Sequence, residues 1–206
     1  MKLYGYRNGR TLRAAWALAE VHADYEYVEV QLFKGEGRSA AFLKINPSGK
    51  VPVLVDGDQV ITESAAICLH VAEKYEASLI PPAATPARTE CYQWISFILT
   101  EMDAPLWTIA KHRFALPAKR RVGAVLDTAA WEFGEAAKIL EARATGREYL
   151  AGNAFSVADI LAGHVLLWAR SSDIPPQGGA LDAYLERLLA RPAFTAARAR
   201  TEARVK

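Results

Sequence analysis

The sequence predicts a small α/β domain with a mixed sheet, followed by an all-α domain. Short apolar runs of strand character alternate with helical periodicity through residues 1–75. Ser78 to Pro86, with Pro81-Pro82 and Pro86, then reads as an interdomain linker. Every segment beyond it carries helical spacing. The boundaries this predicts are 1–77, a linker over 78–87, and 88–206.

Lys2-Leu3-Tyr4-Gly5-Tyr6 reads as the first strand, and Thr11 to Val21 places Leu12, Ala15, Trp16 and Ala19 at helical spacing. Tyr25 to Leu32 alternates as a strand. Ala40 to Ile45 is a short helix stopped by Asn46-Pro47, because the residue before proline is pushed out of the helical region. Val53–Val55 and Val60–Ile61 flank Asp56-Gly57-Asp58, a hairpin signal. A helix over Ser64–Tyr75 closes the unit, and the order βαβ-α-ββα gives a mixed sheet with helices on its faces. The helices expected after the linker are Arg88–Arg113, Ala118–Thr145, Ser156–Arg170, Leu181–Leu189 and Pro192–Arg204.

A chain of 206 residues, 51% hydrophobic, is long enough to bury a substantial core. The net charge is +2, with 9 Lys+Arg against 10 Asp+Glu in residues 1–80 and 16 against 13 in the remainder. The late excess, at Arg191, Arg198, Arg200, Arg204 and Lys206, lacks interleaved aromatics and reads as a solvated helix end, not a nucleic-acid surface. Cys68 and Cys91 are too far apart for a metal or redox motif and fall in apolar helical patterns, as core thiols of a reducing compartment do. With no signal peptide before the first strand and no bilayer-length apolar run, the expected location is the cytoplasm.

Two ligand-binding devices sit close together. Proline donates no backbone hydrogen bond, so Pro52 in Asn46-Pro47-Ser48-Gly49-Lys50-Val51-Pro52-Val53-Leu54 marks an edge, a first strand residue or a cis bond in a turn. A cis Val51-Pro52 bond turns the Val51 N–H and C=O outward, where a small peptide can pair with them. Shortly after, an apolar strand runs into a helix with Glu63 and Ser64 at its start, and a helix N-terminus suits a carboxylate.

These residues, in this order, resemble the cytosolic glutathione transferase family, over nearly the whole chain. The likeness runs from Leu3-Tyr4-Gly5 through Asn46-Pro47-Ser48-Gly49-Lys50-Val51-Pro52 and Thr62-Glu63-Ser64-Ala65-Ala66-Ile67 to the proline linker and Phe155-Ser156-Val157-Ala158-Asp159-Ile160. It implies a thioredoxin-like N-terminal domain and an all-α C-terminal domain. It further implies glutathione as co-substrate, no metal and a homodimer; the charge distribution and the lack of a long apolar run argue against a nucleic-acid or a membrane partner. Pro52 is then cis, Val51 pairs with the cysteinyl backbone, and Glu63 and Ser64 hold the γ-glutamyl end. Lys34 and Lys50 are the nearest cations for the glycyl carboxylate. Ser156 and Asp159 have capping-box spacing, so Asp159 reads as a folding residue.

The departure that matters lies in Tyr6-Arg7-Asn8-Gly9-Arg10-Thr11-Leu12-Arg13. The family keeps the glutathione sulfur as a thiolate, the nucleophilic form. Counting back from Arg13, the usual serine position holds Gly9 and the usual cysteine position holds Arg10, so neither a hydroxyl nor a thiol stands there. Arg10 with Thr11 is the first choice for activating the thiol. The Asn8 amide is a further short-range donor and Tyr6 an alternative; Arg10 pointing to solvent, with Thr11 only a helix cap, is the competing reading. Arg13 is expected in an internal salt bridge.

The electrophile is expected on the second domain, against Trp107, His112, Arg113 and Phe114, although such an aromatic stripe also suits a core and His112 also suits a helix cap. In related classes the neighbouring subunit reaches glutathione from the start of the second domain, which points to Glu101 or Asp103. The function implied is conjugation of the thiolate to a soft electrophilic small molecule. The alternatives are glutathione-dependent isomerisation, dehalogenation or disulfide reduction, and non-catalytic glutathione binding.

Overall fold

The computed structural model describes residues 1–7, 9–75, 78–174 and 178–203. The chain forms two compact units, one of residues 1–80 with 189–206, the other of residues 81–188.

In the first unit, β1 (Lys2–Gly5) runs parallel to β2 (Glu26–Glu29) through the crossover helix α1 (Thr11–Glu20). After α2 (Ala40–Ile45), β3 (Val53–Asp56) pairs antiparallel with β1 and turns into β4 (Gln59–Thr62), and α3 (Ser64–Lys74) follows. The strand order is β2-β1-β3-β4. Leu3 and Leu54, register partners on the two central strands, are fully buried. The edge strands carry Glu26, Glu29, Gln59 and Thr62, polar residues that discourage pairing with another chain.

The α1 helix is buried more evenly than its one-sided pattern predicts: Arg13 through Leu18 are all buried, whereas Leu12 and Ala19 are only half-buried. A helix buried all round has neighbours on two sides. One is α3, whose Cys68 thiol donates to the Arg13 carbonyl at 3.4 Å. The other comes from the end of the chain.

The second unit begins with α4 (Pro86–Phe97), capped by Thr85, which accepts from Arg88 N at 3.2 Å. The expected continuous helix Arg88–Arg113 is interrupted by two wide π turns, Ile98–Asp103 before α5 (Ala104–Ala110) and Lys111–Ala115 after it. Pro105 offers no N–H to the carbonyl four residues back, which weakens the regular ladder where the first turn widens. Ala118–Arg120 is only a 3₁₀ turn, and α6 (Val125–Ala144) starts beyond Pro117 and Gly123, both helix breakers. The box that begins α7 (Val157–Ser171) forms as its spacing predicts. Asp159, fully buried, accepts from Ser156 N and Leu150 N at 2.9 Å each and from the Tyr184 hydroxyl at 2.6 Å. At the start of α8 (Gly179–Leu189), Glu141 of α6 accepts from Ala180 N and Leu181 N, both at 2.9 Å.

The last helix, α9 (Pro192–Glu202), belongs to the first unit, which corrects the boundary drawn from sequence. Its Phe194 ring lies 4.9 Å from that of Trp16. Arg191 grips Glu20 through Nε at 2.7 Å and Nη2 at 2.8 Å, and Arg200 donates to the Tyr25 carbonyl with its guanidinium 4.4 Å from the Tyr25 ring. Arg198 pairs with Glu202. Arg204 and Lys206 lie outside the described residues; of the other late basic residues, Arg191 and Arg200 also help to dock the helix, while Arg198 and Arg200 are exposed, as a solvated end requires.

Candidate functional site

The sheet register gathers the predicted glutathione residues at one end of the first unit. Tyr4 pairs with Val53 and Val53 with Thr62, so the end of β1, the entry to β3 and the exit of β4 are neighbours. Tyr6 follows β1; Val51-Pro52 precedes β3; Glu63 and Ser64 follow β4.

Side-chain and backbone contacts close these segments into a ring. Tyr6 N donates to Thr11 Oγ1 at 3.1 Å, bending the chain from β1 into α1, and the Tyr6 ring meets Phe33 edge-on at 5.6 Å. Lys34 is next in sequence and exposed, at the end of the turn Leu32–Lys34. The loop continues to Gly37, whose carbonyl lies 2.5 Å from where a Cβ on Gly49 would stand, while the Gly49 carbonyl lies 2.6 Å from a Cβ on Gly37. Only glycine at both places lets the backbones of these loops approach so closely. Lys50, exposed, and Val51, half-buried, come directly after, and the Val51-Pro52 peptide is cis as expected.

On the far side, Glu63 takes the N-terminal position of α3 with φ 65° and ψ 118°, a conformation a non-glycine residue rarely adopts, and its side chain is exposed. Ser64, buried, accepts at Oγ from Arg13 Nη1 at 3.3 Å. Arg13 itself has no exposed surface and returns the ring to α1. The side chain read from sequence as an internal ion-pair partner thus reaches directly into the site.

At the head of α1, Arg10 is half-buried at the capping position and offers no side-chain cap; the Gly9 and Arg10 carbonyls accept from Leu12 N and Arg13 N, both at 3.1 Å. Thr11 is the first helical residue, buried, with its hydroxyl engaged by Tyr6 N, so it is not the N-cap that the competing reading made it. Asn8 lies outside the described residues.

Sequence reasoning missed Asn46. It is buried, donates through Nδ2 to the Lys50 carbonyl at 2.7 Å, and accepts at Oδ1 from Ser48 N at 3.1 Å and Ser48 Oγ at 2.9 Å. It therefore shapes the loop that carries Lys50 and Val51. The signal was present in Asn46-Pro47-Ser48-Gly49, since Asn side chains bond their own backbone two residues on. The protein's own thiols are out of play: burial pushes the Cys68 thiol up to about 12, and Cys91 is also raised by burial.

The remaining candidates lie in the second unit, on the helical run Pro86 to Ala115. Glu101 is exposed, whereas Asp103 is only 6% exposed. Trp107 is half-buried and Phe114 exposed. His112, inside the π turn, accepts at Nδ1 from Val122 N at 2.9 Å and so fastens a returning loop, and Arg113 donates to the Ser172 carbonyl at 3.2 Å.

A four-stranded sheet of this order, with a cis proline before β3 and helices to either side, is a thioredoxin-like unit, here joined to an all-helical one. The family model "Glutathione S-transferase, N-terminal domain" matches residues 1–73, and "Glutathione S-transferase, C-terminal domain" matches residues 104–192. Glutathione S-transferase 3 of Zea mays is 34% identical, over 94% of this chain and 91% of its own length. A zeta-class glutathione S-transferase of Euphorbia esula is 42% identical over 55% of this chain and 51% of its own. The solved structure of a sphingomonad glutathione S-transferase complexed with glutathione superposes with a TM-score of 0.83 at 32% identity, covering 98% of this chain and 100% of that one. The chain belongs to the glutathione S-transferase family and is an enzyme of that type.

Proposed function

We propose that the enzyme conjugates the thiolate of glutathione to a soft, hydrophobic electrophile. The observation that carries this reading is the buried hydrogen bond from Arg13 to Ser64 in the first turn of α3, beside the exposed Glu63 carboxylate. Because Ser64 Oγ accepts from Arg13, its own proton is left to donate, and the helix N-terminus adds partial positive charge for the γ-glutamyl carboxylate. Glu63 takes the γ-glutamyl ammonium. Val51 pairs through its backbone with the cysteinyl residue, beside Pro52. Lys50 and Lys34, on loops held together by the Gly37–Gly49 approach, serve the glycyl carboxylate.

Lowering a thiol pKa by roughly 2 units requires about 2.7 kcal/mol. A helix N-terminus supplies ~0.3–1 kcal/mol and up to ~2 when partly buried. A charged donor such as Arg10 adds about 1.5–3 kcal/mol. Thr11 contributes less: its oxygen is committed to Tyr6 N, leaving only its proton for the sulfur. Asn8 is a further donor in this reading and Tyr6 the alternative one. The sulfur lone pair forms the new S–C bond while the leaving group departs with its bonding pair; Trp107, Phe114, His112 and Arg113 are the second unit's candidates for binding the electrophile. The active form is a cytoplasmic homodimer, and Glu101, exposed where Asp103 is buried, is the better candidate for reaching the neighbouring subunit.

Calorimetry of glutathione binding, combined with turnover of a generic aromatic halide, tests this function. Binding with turnover is expected. Binding without turnover of any electrophile overturns conjugation in favour of a glutathione-binding protein, and absence of binding overturns the whole reading.

A further inference from the structure

We propose that residues 111–122 form a docking surface for an anionic lipid bilayer. The near-neutral total conceals a local excess: between Asp103 and Asp127 the sequence has no acidic residue, while Lys111, Arg113, Lys119, Arg120 and Arg121 all fall there. The structure turns that stretch into a built surface. After the π turn Lys111–Ala115 the chain doubles back through the 3₁₀ turn Ala118–Arg120, and Arg121 staples the bend by donating from Nε to the Leu116 carbonyl and from Nη2 to the Phe114 carbonyl, both at 2.8 Å. The His112 ring holds Val122 N beside it.

The result is a fixed loop with Val122 50% exposed and Pro117 also exposed among cations. Among the described residues, Lys111, Lys119 and Arg120 form no ion pair. Unneutralised cations around exposed apolar side chains combine the two signals that reversible membrane attachment needs, attraction to anionic headgroups and shallow insertion of apolar groups. A nucleic acid could use the cations but has no use for Val122. The contact is with a surface, since no helix among the described residues is long and apolar enough to cross a membrane. It departs from the expectation of no membrane partner, which rested on the lack of a bilayer-length apolar run.

The test is co-sedimentation of the full chain with vesicles of phosphatidylcholine containing about 30% phosphatidylserine, compared with phosphatidylcholine alone, at low salt and at about 0.5 M salt. Binding to the anionic vesicles only, weakened by salt, is expected. K119E/R120E, checked for an unchanged melting temperature, should lower the partition coefficient roughly tenfold or more. Val122→Ser should lower it less. Equal binding to neutral vesicles, no binding to anionic ones, or an unaffected K119E/R120E variant would overturn the proposal. So would a short duplex DNA that strips the protein from the vesicles at matched charge, because the surface would then prefer a nucleic acid.

Discussion

Arg13 Nη1 lies 3.3 Å from Ser64 Oγ, with neither residue more than 5% exposed, across a sequence separation of 51 residues. A charged donor buried at that place fixes the start of α3 against α1 by a directional bond as well as by apolar contact. Losing such a bond costs more than losing a neutral one, because the guanidinium cannot recover its water.

Ser64→Ala is expected to raise the glutathione dissociation constant roughly tenfold or more, since hydrogen bonds to charged groups are worth about 1.5–3 kcal/mol. Calorimetry reads this directly. An unchanged constant in a variant that still melts cooperatively removes Ser64 from the site.

Arg10→Ala should raise the apparent pKa of bound glutathione, followed by thiolate absorbance, by about 1 unit or more. Should Tyr6→Phe abolish the thiolate while Arg10→Ala does nothing, the activating group is the tyrosine.

Thr11→Val acts on the fold as well as on the thiol. The Tyr6 N–H now bonded at 3.1 Å loses its acceptor, and an orphaned, partly buried donor costs about 1–3 kcal/mol. Urea unfolding should show the loss as a lower midpoint with an unchanged slope. A midpoint equal to that of the parent protein would mean that water replaces the hydroxyl.

Asp56 gives the first unit a pH dependence of known sign. Burial alone would raise its carboxyl pKa, but hydrogen bonds from His70 at 2.8 Å and Lys74 at 2.6 Å, with their charges, outweigh burial and hold it below the ordinary carboxylate value. The folded pKa is thus below the unfolded one. The stabilisation is present above the unfolded value and is lost as pH falls through the folded one. Asp56→Asn should therefore melt below the parent protein at about pH 7, and the gap should close towards about pH 3. A gap that stays constant over that range contradicts the linkage.

Gly178→Ala should cost about 1–2 kcal/mol by denaturant unfolding. Its Cβ would stand 2.5 Å from the Glu141 carboxylate, pushing it off the two N–H groups it caps at the start of α8. Glu141→Ala should destabilise to a similar extent, and the double variant should add little beyond either single change.

What was legible in the sequence was local. Helical and alternating spacing located nearly every element, the Asn46–Pro52 run announced the turn into β3, and the Ser156–Asp159 spacing announced its capping box. What was not legible depends on residues far apart in the chain. Nothing near Gly37 or Gly49 says that their backbones meet, nothing around Arg13 names Ser64 among its partners, and Arg191 gives no sign of Glu20. The π turns escaped for a different reason, since a widened turn keeps helical composition while shifting the register of the residues after it.

Arg191 and Glu20 stand 171 positions apart, yet α9 lies on α1. During synthesis residues 1–80 therefore leave the ribosome with one flank of Trp16 uncovered, and it stays so until α9 has been translated. Domains usually mature in the order they are made. Here the unit begun first is finished last, and a stop codon anywhere ahead of Pro192 would leave one flank of α1 bare.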